Sequence, residues 1–325
     1  MWTLTQWQNA RRVDHVKLGI ANVRYRGNPD AALKALDAHV QLFHAPNRNN
    51  YQDKIGSIGE ILRHGEQYLN AVHAQRYLNP VNQLCNDAQN DLTMLIAAHG
   101  APHPAINVSN AMRQGVLVPK VVYVNCFVVR DLNNRAVNMA AVNALINGHI
   151  AQANAALLGA QITVMRNPGR QNTTTVLRVD PSGGDGNANR ILHPAANGAF
   201  DDYGRGKLAD YFNNQIDGAV PANTLNIVYV PQFTPALGAQ GVTTRPNTAT
   251  VNPRPNRPYV AVSEVAVAPA TYPTTLVHEL MHVLTGSGDH SVDANNLMAD
   301  GNIRNGVNAM TFGQTVMAQR SPYAI

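Results

Sequence analysis

One apolar run near the middle of the chain limits its fold more than any other feature. Residues 121–129 read Val-Val-Tyr-Val-Asn-Cys-Phe-Val-Val, and a continuous β-branched run indicates a strand buried on both faces. Apolar residues then recur at helical spacing from Val142 to Leu157, and a second strand pattern follows at 161–165. A strand, a helix and a strand in this order predict two parallel strands joined by a right-handed crossover.

The rest of the chain extends this pattern on both sides. Strand patterns recur at 225–230 and 259–266, whereas residues 167–205 and the proline-rich stretch 231–258 read as loops. Residues 1–115 carry apolar positions at helical spacing. We therefore predict an α+β fold, an α/β sandwich with a mostly parallel twisted sheet and a mainly helical N-terminal region. The predicted domains are a helical accessory domain, 1–115, and an α/β domain, 116–325.

Composition excludes several classes of protein. With 45% hydrophobic and 14% charged residues the chain is globular, and its net charge of +5 comes without the lysine and arginine blocks of a nucleic-acid-binding protein. The N-terminus lacks the apolar segment of a secretory signal, and no run is long enough to span a membrane. These features predict a soluble protein that is cytoplasmic or is exported by a route that needs no signal peptide.

Only two cysteines, Cys85 and Cys126, are present, which is too few for a disulfide framework. Cys126 lies inside the apolar run 121–129, which predicts a buried free thiol. A single Cys85–Cys126 bridge is the alternative that the sequence leaves open.

The chemistry concentrates near the end of the chain, in His278-Glu279-Leu280-Met281-His282. Residues four apart on a helix lie on one face, so both imidazoles can reach one metal ion with the glutamate carboxylate beside it. This is the H-E-x-x-H pattern of zinc hydrolases. With 12 histidines and only four glutamates in 325 residues, chance alone would produce roughly 0.005 such matches. The motif therefore predicts a Zn²⁺ site.

A catalytic zinc needs a third protein ligand. No glutamate follows Glu279, so the ligand must come from other downstream residues, and His290 is the preferred one because imidazole is a common zinc ligand. The turn Gly286-Ser287-Gly288 frees the chain to leave the helix and return towards the metal. Asp289 is the main rival, and Asp293 is a further alternative.

These residues together resemble the metzincin clan of zinc peptidases. The clan pattern is H-E-x-x-H-x-x-G-x-x-H followed by a methionine turn, and Met298 lies eight residues after His290, as in matrixin-type sequences. The resemblance implies zinc held by His278, His282 and His290, Glu279 as the general base, and Met298 as an apolar floor beneath the metal. The chain departs from the pattern between His282 and His290, where two extra residues lengthen the glycine turn.

The resemblance implies a zinc endopeptidase with a protein or peptide substrate, in which residues 116–325 are the metzincin-like protease domain. The strand at 259–266, if it forms the sheet edge, would bind an extended substrate by β-augmentation. Two alternatives remain: a zincin with an aspartate, Asp289 or Asp293, as third ligand, and a non-catalytic binding or delivery protein with a vestigial metal site. Residues 1–115 are interpreted as a delivery, substrate-docking or inhibitory module with an unknown partner. The whole pattern is compatible with a bacterial effector or toxin protease.

Overall fold

The computed structural model describes most of the chain in two compact units. The described residues are 1–10, 29–71, 79–131, 138–170, 173–180, 190–192, 199–233, 240–264, 274–301 and 303–325. The first unit contains Met1–Val118 and Leu284–Ser321, and the second contains Pro119–Val283 and Pro322–Ile325. The C-terminal segment from Leu284 thus groups with the N-terminal helices.

After a helical stretch at residues 4–10, the helices in chain order are α1 Pro29–His44, α2 Tyr51–Ala71, α3 Asn79–His99, α4 Ala105–Gln114, α5 Met139–Leu157, α6 Asp202–Tyr211, α7 Thr275–Thr285 and α8 Phe312–Gln319. A π-helical turn, Phe212–Ile216, continues α6. The strands are β1 Lys120–Asp131, β2 Ile162–Arg166, β3 Thr174–Asp180, β4 Arg190–Leu192, β5 Ala199–Phe200, β6 Leu225–Val230, β7 Gln232–Phe233, β8 Gly241–Thr244 and β9 Tyr259–Ser263. In the described part of the chain, no helix is both long and apolar enough to cross a membrane.

The second unit is built on a mostly parallel sheet. Its strand order is β4-β3-β1-β6-β9-β8, and β2 also pairs with β1. The long strand β1 pairs through its first half with β2 and through its second half with β3. Every pairing in this sheet is parallel except that of β8 with β9. The predicted fold class and the β1-α5-β2 unit are therefore confirmed.

The loop prediction for 167–205 and 231–258 was wrong in part. Strands β3, β4 and β5 and the start of α6 lie within the first stretch, and β7 and β8 lie within the second. Glycine and proline residues surround these short strands and indicate turns, so the β-branched residues between them did not form a recognisable strand pattern. The strand expected at 259–266 is observed as β9, Tyr259–Ser263, and residues 265 and 266 lie outside the described residues.

In the first unit, α2 is the central helix. Its residues Ile55, Ile58, Ile61 and Leu62 are fully buried, in a cluster that also contains Val316 and Met317 of α8. Helix α8 lies directly against α2, as a Cβ atom at Gly313 would come within 2.0 Å of the Ile55 carbonyl oxygen.

Both cysteines are buried free thiols, and burial raises the pKa of each to about 11. The alternative of a bridge is therefore excluded.

His103 is a buried titratable group of the first unit and should make the protein sensitive to acid. It is 5% exposed, and among the described residues neither ring nitrogen has a hydrogen-bond partner. Burial lowers the pKa of His103 from 6.5 to about 4. The unfolded chain therefore binds the extra proton first as the pH falls, and stability that is present above pH 6.5 is lost towards pH 4. The loss should reach about 3 kcal/mol.

Urea unfolding of the zinc-free protein at pH 7 and pH 4.5 measures this loss. The variant His103→Leu should lose about 2–3 kcal/mol less than the natural chain between the two pH values, because it has no proton to bind there. The exposed His44 offers a matched control, and His44→Leu should keep the acid sensitivity of the natural chain. Equal pH dependence in His103→Leu and the natural chain would contradict the prediction.

Candidate metal centre

Helix α7 carries the H-E-x-x-H motif, and nearly all of it is buried. Its apolar side chains Leu276, Leu280 and Val283 are at most 3% exposed. Proline favours the first turn of a helix, which predicts Pro273 at the start of α7, but Pro273 lies outside the described residues. The helix ends at Thr285, and the next residue, Gly286, has a φ of +76°, the left-handed conformation that favours glycine at this position. A Cβ atom at Gly286 would also lie 2.7 Å from Ala101 Cα, so both conformation and space require glycine.

The two motif histidines face each other across one turn of α7. Nε2 of His278 and Nε2 of His282 are 3.2 Å apart, and the ring planes stand at 86°. Zinc–nitrogen bonds of 2.0–2.1 Å in tetrahedral geometry place two nitrogen ligands about 3.3 Å apart. Both side chains are also buried, at 4% and 5% exposure. The spacing of the two nitrogens therefore fits shared coordination of one zinc ion.

His290 completes a group of three histidines. One ring nitrogen from each of His278, His282 and His290 lies within 4.8 Å of the others. Desolvation lowers the pKa of His290, Asp300 and Asp289 oppose that shift, and Arg304 adds to it. The lowered pKa favours the neutral imidazole, which is the form that binds a metal. The group is therefore capable of binding a metal ion.

The rival ligands engage other partners. Asp289 Oδ2 accepts a hydrogen bond from the backbone N–H of Tyr51 at 3.0 Å and lies 3.8 Å from His99 Nε2. Asp293 Oδ2 lies 3.9 Å from the guanidinium of Arg48. Neither carboxylate belongs to the group formed by the three histidines. These contacts favour His290, and the choice of third ligand stays a prediction.

Glu279, the predicted general base, is held against strand β8. Thr243 Oγ1 lies 2.8 Å from Glu279 Oε2 and 2.8 Å from the Glu279 carbonyl oxygen, so one hydroxyl proton serves two acceptors. A Cβ atom at Gly241 would lie 2.7 Å from Glu279 Cγ. The strand approaches the carboxylate this closely because residue 241 has no side chain. The sequence does not indicate a role for Thr243, because this residue lies within the proline-rich stretch 231–258, which was interpreted as a loop.

Strand β8, and not β9, borders the sheet at this place. Strand β9 pairs with β6 on one side and with β8 on the other. The conditional assignment of 259–266 as the edge was therefore wrong. Among the described strands, β8 pairs with β9 alone, so its other backbone edge is the one that a further strand would use.

Met298 is fully buried in a turn that polar side chains hold. Its N–H donates to Asn296 Oδ1 at 2.8 Å, and its carbonyl oxygen accepts from the Ser291 N–H at 2.8 Å. The Asn296 amide exchanges hydrogen bonds of 3.0 and 3.1 Å with the Gln314 amide, which also donates to Gln52 Oε1 at 3.1 Å. Nothing in the sequence marked Gln52 or Gln314 as part of this network. The role of Met298 as the floor of a metal site stays a prediction.

A second group of potential ligands lies in the first unit, where His39, Glu60 and His64 approach within 4.8 Å of one another. Arg63 donates to Glu60 Oε2 through both Nε and Nη2, and His64 Nε2 lies 3.4 Å from the same oxygen. The carboxylate is thus already neutralised by a cation. A local ion pair accounts for this cluster.

Comparison with known proteins gives a weak structural likeness, which carries no argument about this chain. No family model matches the chain, and no curated protein matches it. Among solved structures, the chain is similar to metalloproteinase-II from Bacteroides fragilis, with a TM-score of 0.37 and 13% sequence identity. The match covers 63% of this chain and 54% of that one, so the chain spans about half the length of that protein. At this level of likeness, function has to be inferred from the chain's own residues.

Proposed function

We propose that the chain is a zinc-dependent endopeptidase in which His278, His282 and His290 hold the metal and Glu279 is the general base. One observation carries the proposal: three histidine nitrogens lie within 4.8 Å of one another, and the glutamate stands between the first two on the same helix. The donor set fits, because three imidazoles are a known set of ligands for a catalytic zinc. Bound zinc would acidify water and polarise the scissile carbonyl.

Glu279 would then move the protons of the reaction. Its carboxylate accepts a proton as water attacks the carbonyl carbon, and it delivers that proton to the nitrogen of the leaving amine as the C–N bond breaks. Thr243 keeps the carboxylate in place through its hydrogen bond to Oε2. A hydrogen bond to a charged group contributes about 1.5–3 kcal/mol, which is enough to fix one rotamer.

Strand β8 is the surface that would receive the substrate. It carries Thr243, which contacts Glu279. Among the described strands, β8 pairs with β9 alone, so its other backbone edge can receive a further strand. An extended peptide adds to such an edge through main-chain hydrogen bonds. This arrangement favours a protein or peptide substrate held in an extended conformation. The role of an effector or toxin stays a prediction from the sequence.

Removal of the metal tests the proposal. The purified chain should hold about one zinc ion and should cleave an unfolded protein such as reduced casein. A chelator should abolish cleavage, and zinc added in slight excess should restore it. Zinc content is measured by atomic absorption, and cleavage by the release of new amino termini. Zinc bound without any cleavage would favour the non-catalytic alternative, and a chain that binds no zinc would contradict both.

A further inference from the structure

The first turn of α2 is tied to a segment more than 230 residues later in the chain. We name residues 48–53 the cradle and residues 285–293 the third-ligand segment; both belong to the first unit. Asn50 Oδ1 accepts from the Asp53 N–H at 2.9 Å, and Asn50 Nδ2 donates to Asp53 Oδ2 at 2.7 Å. The first of these bonds is the usual N-cap bond, in which an asparagine oxygen accepts an N–H of the first turn. The acidic side chain at the start of α2 therefore has a local role already.

The same carboxylate also binds the third-ligand segment. Ser291 Oγ donates to Asp53 Oδ1 at 2.6 Å, and the Val292 N–H donates to Asp53 Oδ2 at 3.2 Å. Arg48 Nη1 lies 3.7 Å from Oδ1. Asp53 is 6% exposed, so these partners replace the water that a buried carboxylate requires. The start of a helix does not require the bonds from Ser291 and Val292. These bonds attach the segment immediately after His290 to Asp53.

The other side of His290 is anchored as well. The Tyr51 N–H, which has no acceptor within its own helix at this position, donates to Asp289 Oδ2 at 3.0 Å. Tyr51 Oη donates to the Thr285 carbonyl oxygen at 3.0 Å, and Gln52 Nε2 donates to Thr285 Oγ1 at 3.1 Å. The end of α7 and the residue before His290 are thus bound to the cradle.

These contacts matter because the segment is flexible by composition. Gly286 and Gly288 lie within it, and glycine loses more conformational freedom on ordering than any other residue. A metal ligand on a disordered segment must be ordered when the metal binds, and that cost lowers affinity. Anchors at Asp289 on one side and at Ser291 and Val292 on the other fix the backbone around His290 before any metal arrives.

We infer that the cradle is a positioning device for His290, built from the first turn of α2 and acting within the first unit. The inference rests on the proposed zinc site. It assigns Asp53 the role of a positioning residue: it touches neither metal nor substrate and acts through the backbone on either side of the third histidine. This role differs from the delivery, docking or inhibitory module considered from the sequence.

The variant Asp53→Asn of the full chain tests this role. An asparagine amide turns an NH₂ group towards donors that the carboxylate accepted, so at least one bond to Asn50, Ser291 or Val292 is lost. The dissociation constant for zinc should rise about 10- to 100-fold, as is typical when a partner outside the ligand set is removed. In the zinc-free protein, hydrogen exchange of the amides at 287–293 should become faster, a readout that needs neither metal nor activity.

Glu60→Gln is the matched control, because it makes the same acid-to-amide change in the same helix, where Glu60 pairs with Arg63. It should keep zinc affinity and the exchange rates at 287–293. If Asp53→Asn does not fold, Ser291→Ala removes one donor only and should shift both readouts in the same direction.

Natural zinc affinity in Asp53→Asn, with or without faster exchange, would overturn the positioning role. Zinc titration of the natural chain separates the two proposals: a chain that binds no zinc overturns the proposed function, whatever the exchange rates show. A chain that binds zinc equally in all variants overturns only the cradle.

Discussion

Replacing Glu279 by glutamine should lower kcat for peptide cleavage about 10²- to 10⁴-fold, the usual contribution of a general base, while zinc stays bound. Glutamine has the shape of glutamate but cannot accept the proton of the attacking water. Thr243 Oγ1, 2.8 Å from Glu279 Oε2, can donate to the amide oxygen of the variant. The helix and the three histidines should therefore remain in place, and the loss should fall on the chemical step.

The measurement combines zinc content with kcat and KM for one peptide substrate. Glu264→Gln is the matched control: it makes the same change at a glutamate that pairs with Arg130, outside the motif, and should keep natural activity. His282→Ala gives the opposite reference, because it should lose activity together with the metal. Natural kcat in Glu279→Gln would exclude this residue as the base and would remove the proposed mechanism.

The sequence predicts those elements of the fold that depend on the spacing of residues within a single strand or helix. The run 121–129 specifies β1, because a strand buried on both faces is apolar without alternation. The apolar residues between Val142 and Leu157 specify α5, because a helix buried on one face has apolar residues at helical spacing. The motif on α7 is local in the same way, since i and i+4 spacing alone brings His278 and His282 together. Their nitrogens are 3.2 Å apart in the structure.

The missed part depends on contacts between distant segments. Strand β8 has only four residues between proline-rich stretches, and it becomes a strand by pairing with β9. Asp53 and Ser291 are 238 residues apart, and no periodicity links them. Asp53 reads in the sequence as an ordinary acidic residue at the start of a helix, a position that acidic residues favour in any case. Its second role is visible only when the chain is folded.

The choice between His290 and Asp289 should produce the second large effect. His290→Ala should weaken zinc binding by more than the roughly 10- to 100-fold expected when a partner outside the ligand set is lost, because it removes a ligand itself. Asp289→Asn should bind zinc like the natural chain. Asparagine keeps an oxygen that can accept from the Tyr51 N–H, which now lies 3.0 Å from Asp289 Oδ2. This variant removes the charge of the rival ligand and leaves the cradle intact.

Zinc affinity is measured by competition with a chromogenic chelator, and Asp293→Asn serves as the control for the further alternative ligand. Loss of zinc in Asp289→Asn alone would make the aspartate the ligand and contradict the histidine assignment. The structure argues against that outcome for a physical reason. Neither carboxylate oxygen of Asp289 belongs to the group of possible ligand atoms that His290 forms with the other two histidines, and one of these oxygens accepts the Tyr51 N–H at the start of α2.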